Sequence, residues 1–531
     1  MRYRERSCGG REVREVCDDV RMSRVQAAIA AIFLSVVGSF PAEAQSPDVS
    51  SPSADVAKRF NQLRNSPPEI YAFLYQMPKG GDLHIHLSGA VYAENLLRYA
   101  AQDHLCIDRT ARALVARPVS GECMAGQVDA ALTQTDNALR SAMIDSFSIR
   151  DFVPGEQSEH DHFFGSFDEF GHLSGAHGGQ FVAEVVERAA DQNESYLELM
   201  ALTGAGPISD LGNRVGLDDD FESTHRKLQE NGLPQLVSAL STRVDQMEEG
   251  RIRLLNCRQN PDSALCRVQV HYIFQILRES PKAAIFAQVM AGFALAAADA
   301  RVVGVNIVQP EDGFISMRDY HLHMRMIDYA KRVYPSVHIA LHAGELASGL
   351  VPPDGLRFHI REAVELGHGE RIGHGVDVLY EKNAGQLLSE MRSRRVAVEI
   401  NLTSNDLVLG VRGDRHPFPV YRKRGIPTVL STDDEGVERT HLTQEFQRAV
   451  LTYSLSYWDL KRIVRNSLEY SFAPGASYWQ TAEYVIPVSV CASRKRTSFC
   501  DEFLAKNEKA RLEADLEDRF AEFEKAIVAA K

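Results

Sequence analysis

A chain of 531 residues has room for one large domain with additions, or for two ordinary ones. Its 44% hydrophobic and 25% charged residues are normal for a folded globular protein. The formal net charge of -13 argues against duplex nucleic acid or an anionic membrane as the main partner, and weakly disfavours a highly phosphorylated substrate.

The chain opens with an Arg-rich, irregular stretch from Met1 to Arg21. Met22-Ser23-Arg24 then leads into an apolar run from Ala27 to Val37, followed by Ala42-Glu43-Ala44. A charged n-region, a short h-region and an A-x-A site in that order predict a signal peptide within 1–44 that starts at Met22 and is cleaved after Ala44. The expected locale is periplasmic or secreted, with no stable membrane anchor after cleavage, because the apolar run is too short to span a bilayer comfortably. Residues 45–67 read as a flexible lead-in, Ser/Pro-rich over 45–57, and from about Val56 a helix-prone stretch leads to Met77. Cys8 and Cys17 precede the cleavage point, and six cysteines remain in three close pairs. In an oxidising compartment this predicts disulfides Cys106–Cys123, Cys257–Cys266 and Cys491–Cys500.

Short runs of β-formers recur at Asp82–Leu87, Tyr196–Leu202, Val268–Phe274, Val302–Val308, Val337–Leu341, Arg371–Gly373, Val396–Leu402 and Thr428–Ser431. Helix-prone segments precede most of them, among them Gly179–Asp191, Pro281–Ala298, Met317–Val333, Ile360–Leu366 and Ala384–Arg394. Alternation implies parallel pairing, and eight strands fit a closed (β/α)8 TIM-type barrel with inserted loops and extra helices. An open doubly wound sheet is the alternative, but no G-x-G-x-x-G follows the first strand. The barrel is expected over 68–475, with an insertion at about 101–160 and a charged stretch at 203–265. Helices are expected over 441–475. A C-terminal extension, 476–531, carries the last cysteine pair and one charged amphipathic helix over 504–530.

The reactive side chains cluster at strand ends. His84 and His86 lie two apart in the first run and face one side. His342 follows the fifth run, His374 ends the sixth, and Asp433 and Asp434 follow the eighth. Barrel active sites form at the C-terminal ends of the strands, so these groups converge on one mouth. Three histidines and an aspartate suit a divalent metal, zinc above all. His321, His323, His338, His359 and His368 read as surface or helix residues.

Several motifs resemble the adenosine deaminase family of the amidohydrolase superfamily. They are Met77–Ala90 (MPKGGDLHIHLSGA), Leu341–Glu345 (LHAGE), Arg371–Gly375 (RIGHG), Thr403-Ser404-Asn405 and Ser431–Asp434 (STDD). The signal peptide, the cysteine-bearing insertion and Glu311-Asp312 look like the secreted, growth-factor-related branch. The resemblance implies one zinc ion per chain, held by His84, His86, His342 and Asp433. It makes Glu345 the proton donor to the purine ring, and His374 the group that orients and deprotonates the zinc-bound water. Asp434 would bond N7, with His86, Ser88 and Gln309 bordering the nucleoside. The implied reaction is hydrolytic deamination of adenosine, and of 2′-deoxyadenosine, to the inosine-type product and ammonia. The implied partner is thus a small purine nucleoside; a homodimer is compatible with the chain. Three positions depart from the family pattern. Ser88 stands where many members have Asp, Gln309 where Gly is common, and Asn306 where Asp is found in the fourth strand. Two alternatives stay open: another amidohydrolase acting on a different aminopurine, and an extracellular binding protein with a vestigial site.

Overall fold

The structure is a computed structural model that describes residues 52–530 except 151, 154, 156, 174, 176, 494 and 495. The expected signal peptide and its cleavage site lie outside the described residues. Eight parallel strands form the centre: β1 (Gly80–His86), β2 (Glu194–Thr203), β3 (Gln269–Leu277), β4 (Val302–Val308), β5 (His338–Ala343), β6 (Arg371–His374), β7 (Ala397–Ile400) and β8 (Thr428–Leu430). Each pairs with the next in chain order. Asp433, just past β8, bridges to Ile85 of β1; its N–H donates to His84 O at 2.9 Å, and its carbonyl accepts from His86 N at 3.0 Å. The sheet thus closes into a TIM-type barrel, as the alternation of β-runs and helices predicts. All eight expected runs are strands, with ends displaced by at most three residues.

The strands read as near-continuous apolar runs because a parallel barrel is covered on both faces. The helix Lys282–Ala298 shows the same logic: it is apolar almost all round, and Ile285, Phe286, Val289, Met290 and Phe293 are buried. Lys79, fully buried at the entrance to β1, donates from Nζ to the carbonyls of Leu74 (2.6 Å), Met77 (3.2 Å) and Gln192 (2.6 Å). It thereby caps two helix ends and fixes where β1 begins.

Three features differ from expectation. The lead-in is helical already from Pro52, within the Ser/Pro-rich stretch, to Leu63, because Val56, Phe60 and Leu63 make an apolar stripe and Phe60 packs on Phe73 and Tyr457. The C-terminal helix is two helices, Ser498–Lys506 and Glu508–Ala529, broken at Asn507, whose φ of -128° and ψ of 97° are extended. The segment between β1 and β2 holds a three-stranded antiparallel sheet (Cys106–Asp108, Ala113–Val115, Gln127–Asp129). An aromatic helix, Glu159–Phe170, follows. The three expected disulfides are present. Among the described residues no helix is long and apolar enough to cross a membrane.

Candidate active site

The strand register brings the reactive groups to one mouth. Across β5 and β6, His342 sits beside Gly373 and Ala343 beside His374. One atom each from His84, His86, His342 and Asp433 lies within 4.8 Å of the others. Asp433 Oδ1 is 3.4 Å from Nε2 of both His84 and His86, and Nε2 of His86 and His342 face each other at 3.2 Å.

The far side of each ring decides what these nitrogens can do. His84 Nδ1 meets Glu399 Oε2 at 2.7 Å, His86 Nδ1 meets Gln275 Oε1 at 2.9 Å, and His342 Nδ1 meets Asn306 Oδ1 at 2.8 Å. Asn306 Oδ1 also accepts the backbone N–H of His342 at 3.0 Å, so it is an acceptor. Oxygen on the Nδ1 side keeps the proton on Nδ1 and leaves the lone pair on Nε2. Three lone pairs and a carboxylate then point at one centre. Two opposed lone pairs at 3.2 Å repel unless a cation lies between them, so this donor set fits a divalent metal.

The outer partners form a buried network in the barrel. Arg371 Nε donates to Glu399 Oε1 and its Nη2 to Glu198 Oε2, both at 2.5 Å, with the Phe472 ring 3.8 Å from the guanidinium carbon. Gly373 makes room for His84: a Cβ there would stand 2.6 Å from His84 Cε1. His374, Asp433 and Gln309 have φ of 67°, 67° and 84°. Non-glycine residues at positive φ concentrate where surrounding structure imposes them for function.

Glu345 and Asp434 are buried carboxyls beside the metal centre. Burial, with Asp433 and Glu311 nearby, pushes Glu345 well above the usual carboxylate range. Burial and the adjacent Asp433 do the same for Asp434. Glu345 Oε1 is 3.7 Å from His374 Nε2. Its loop is held by Glu311, which accepts the N–H groups of Gly344 (3.0 Å) and Glu345 (2.8 Å) and pairs with His359 Nδ1 at 2.5 Å.

A cavity of about 530 Å³ opens above this centre. Its floor is His86, His342, Glu345, Asp433 and Asp434, with Ser88, Glu279 and Gln309 at the rim. One wall is Phe163, Phe164, Phe167 and Asp168 of the aromatic helix, which His160 ties to Asp312 at 3.2 Å. Gln309 Oε1 accepts Glu279 N at 2.9 Å. Among the described residues no lysine or arginine lines the cavity.

All nine residues singled out by position or motif, His84, His86, Ser88, Gln309, His342, Glu345, His374, Asp433 and Asp434, meet at this mouth. The aromatic wall, Glu279 and the outer partners Glu399, Gln275 and Arg371 were not foreseen; the spacing Phe163-Phe164-Phe167-Phe170 is the signal that marks the wall. His321, His338 and His368 pair with surface carboxylates away from the site. His323 and His359 lie in helices, as expected, and are buried there, with His359 stacked on Tyr320 at 3.9 Å.

The sequence model of the family described as Adenosine deaminase matches residues 252–486. An adenosine deaminase of Clostridium perfringens is 35% identical over 135 residues, 25% of this chain and 37% of that protein. One of Shewanella halifaxensis is 30% identical over 213 residues, covering 40% of this chain and 58% of its own length. The chain therefore spans about a third to a little over half of the length of these curated relatives. Two solved structures share the fold. Arabidopsis ADAL complexed with IMP has a TM-score of 0.51 and 19% identity, covering 85% of this chain and 99% of its own. A Zn-bound amidohydrolase from Burkhoderia ambifaria has a TM-score of 0.50 and 16% identity, covering 86% and 94%. Matched sequence over residues 252–486, a closed barrel and a His/Asp cluster able to hold a metal agree in supporting the adenosine deaminase family of the amidohydrolase superfamily.

Proposed function

We propose that this protein is an exported, zinc-dependent deaminase that converts adenosine and 2′-deoxyadenosine to the inosine-type product and ammonia. The observation that carries the reading is the sorting of protons around one centre. Three imidazole lone pairs and the Asp433 carboxylate converge beside two buried carboxyls, Glu345 and Asp434, that burial pushes well above the usual carboxylate range. Held by His84, His86, His342 and Asp433, zinc supplies the Lewis acidity that makes a nucleophile of water near neutral pH. Glu345 delivers its proton to purine N1, which makes C6 electrophilic. Asp434, protonated, donates to N7, a position that only accepts. The oxygen of water adds at C6; one of its protons restores the Glu345 carboxyl and the other passes to the amine, which departs as ammonia as the C6–N bond breaks. Phe163, Phe164 and Phe167 cover the purine and exclude bulk water.

The choice of a nucleoside over a nucleotide follows from charge. The cavity is lined by Asp168 and Glu279 and by no cationic side chain among the described residues. A phosphate dianion entering there meets like charge without an arginine or lysine to pair it. Export is supported by the order of n-region, h-region and A-x-A site and by the three disulfides.

Ultraviolet monitoring of adenosine, 2′-deoxyadenosine, adenine and AMP with the purified mature protein tests this. Adenosine is expected to be turned over, with kcat/KM for AMP lower by at least ~10²-fold, the discrimination an unpaired charge imposes. Preference for AMP would overturn the nucleoside reading, and inertness toward all four would overturn the deaminase reading.

A further inference from the structure

Behind His374 a line of hydrogen bonds runs from the backbone to the metal centre, and each link polarises the next. It begins at Phe418, whose N–H points at His416 Nδ1, 3.1 Å away. A backbone amide only donates, so His416 Nδ1 is an acceptor. His416 is buried, and burial pushes its pKa down to about 4, so the ring is neutral near pH 7. A neutral imidazole that accepts at Nδ1 carries its proton on Nε2. That Nε2–H donates to Asn405 Oδ1 at 3.0 Å. The same amide turns its NH2 toward His374, with Nδ2 2.9 Å from Nδ1. Asn405 cannot be turned over without setting its NH2 against the N–H of His416. A second NH2 group, from Asn401, approaches the same nitrogen of His374 at 3.5 Å. His374 Nδ1 is therefore an acceptor, and the ring proton lies on Nε2. That nitrogen is 3.7 Å from both Glu345 Oε1 and Asp433 Oδ2 and has no hydrogen-bond partner among the described residues.

The four imidazoles around the centre thus fall into two kinds. His84, His86 and His342 have oxygen behind Nδ1 and turn a lone pair inward. His374 has NH2 groups behind Nδ1 and turns an N–H inward. We infer that Asn405 and His416 are positioning residues that hold His374 as its Nε2–H tautomer, so that this histidine faces the reacting centre as a hydrogen-bond donor. The opposite tautomer is needed for the role the family resemblance implies, removal of a proton from water. As a donor, His374 orients the attacking oxygen and stabilises the negative charge that develops on it. The same tautomer keeps His374 from competing as a fourth histidine ligand.

The test uses the zinc-loaded mature protein labelled with ¹⁵N-histidine, in which ring ¹⁵N–¹H correlations report the tautomer of each imidazole. The assignment stands without the deaminase reading; only the kinetic part rests on it. His374 is expected as Nε2–H in the unmodified protein and in His416→Gln, whose amide still donates to Asn405. His416→Phe removes that donor and should give a mixture of tautomers. Asn405→Asp places an acceptor against Nδ1 and should invert the tautomer. With adenosine, kcat should fall ~10–10²-fold in His416→Phe, the usual effect of losing an outer partner, and recover in His416→Gln. Zinc content should be the same throughout. An Nδ1–H signature for His374 in the unmodified protein would overturn the proposal, as would an unchanged tautomer in a folded His416→Phe. If His416→Phe does not fold, the unmodified and Asn405→Asp spectra decide the matter. An Nε2–H signature in a protein inert toward adenosine would support the tautomer and overturn the deaminase reading alone.

Discussion

Gly373→Ala tests how far the metal centre depends on the ring of His84 staying where it is. Gly373 lies in β6 with its face against that ring. An added methyl group would stand 2.6 Å from Cε1 and 2.9 Å from Nδ1 of His84. Carbon atoms rest at about 3.5 Å, so the ring must retreat by about 1 Å. It cannot do so freely, because Nδ1 is held at 2.7 Å by Glu399, which Arg371 holds in turn. Either that hydrogen bond breaks or Nε2 leaves the point where His86, His342 and Asp433 converge. Loss of an outer partner weakens metal binding ~10–10²-fold. Overpacking adds about 1–3 kcal/mol of destabilisation that does not depend on the metal. Competition with a chromophoric chelator measures the first effect, and denaturant unfolding of the metal-free protein measures the second. Zinc affinity within twofold of the unmodified protein, with unchanged metal-free stability, would refute the reasoning.

Glu345→Gln should keep its zinc and still bind a purine nucleoside, while turnover falls ~10²–10⁴-fold, because the amide cannot deliver a proton to N1. Recovery of activity with excess zinc would make Glu345 a support for the metal instead. Arg371→Met leaves Glu198 and Glu399 buried without their shared cation; stability to denaturant should fall by about 3–5 kcal/mol, and a loss below about 1 kcal/mol would deny the network any structural role. Asp299 accepts from Arg301 and from Ser241 Oγ (2.7 Å), and the Arg301 hydrogen bonds hold its carboxyl down to about 2. A depressed carboxyl pKa adds stability that is present above the unfolded value near 4 and lost as pH falls through about 2. Asp299→Asn should therefore cost about 1 kcal/mol at pH 7 and flatten the acid limb of the stability profile between pH 4 and 2, read by denaturant titration.

Much of the fold was legible because parallel strands and their covering helices carry different periods. Val302–Val308 is apolar but for Asn306, as a strand covered on both faces nearly must be, and Met317–Val333 is amphipathic. The site was legible for a related reason: in a barrel, chemistry sits where strands end, and His342 and His374 lie at the ends of β5 and β6 while Asp433 comes just after β8. The partners behind those groups were not legible. Gln275 and Asn306 look like ordinary polar interruptions of β3 and β4, and only the register of neighbouring strands sets them against His86 and His342. Glu311 reads as half of an acidic pair; its place beneath Gly344 and Glu345 is a matter of how two loops cross. The break at Asn507 was hidden because the charged period runs on through it. The start of helix Pro52–Leu63 was obscured by its Ser/Pro-rich approach, although Val56, Phe60 and Leu63 carry the stripe.

The aromatic wall of the cavity comes from outside the barrel. Phe163, Phe164 and Phe167 are carried on a segment between β1 and β2, joined to the mouth through His160 and Asp312, whereas every metal-facing side chain comes from a strand end or the residues just after it. The aromatic wall and the metal-facing groups are thus written in separate stretches of chain, although Ser88, Glu279 and Gln309 border the same cavity from the barrel. Change in the wall can alter which molecule is admitted while the proton arrangement below stays as it is. A library confined to Glu159–Phe170 therefore explores new substrates at small risk to metal loading. Transplanting that segment onto a related barrel would carry a preference with it, not a chemistry.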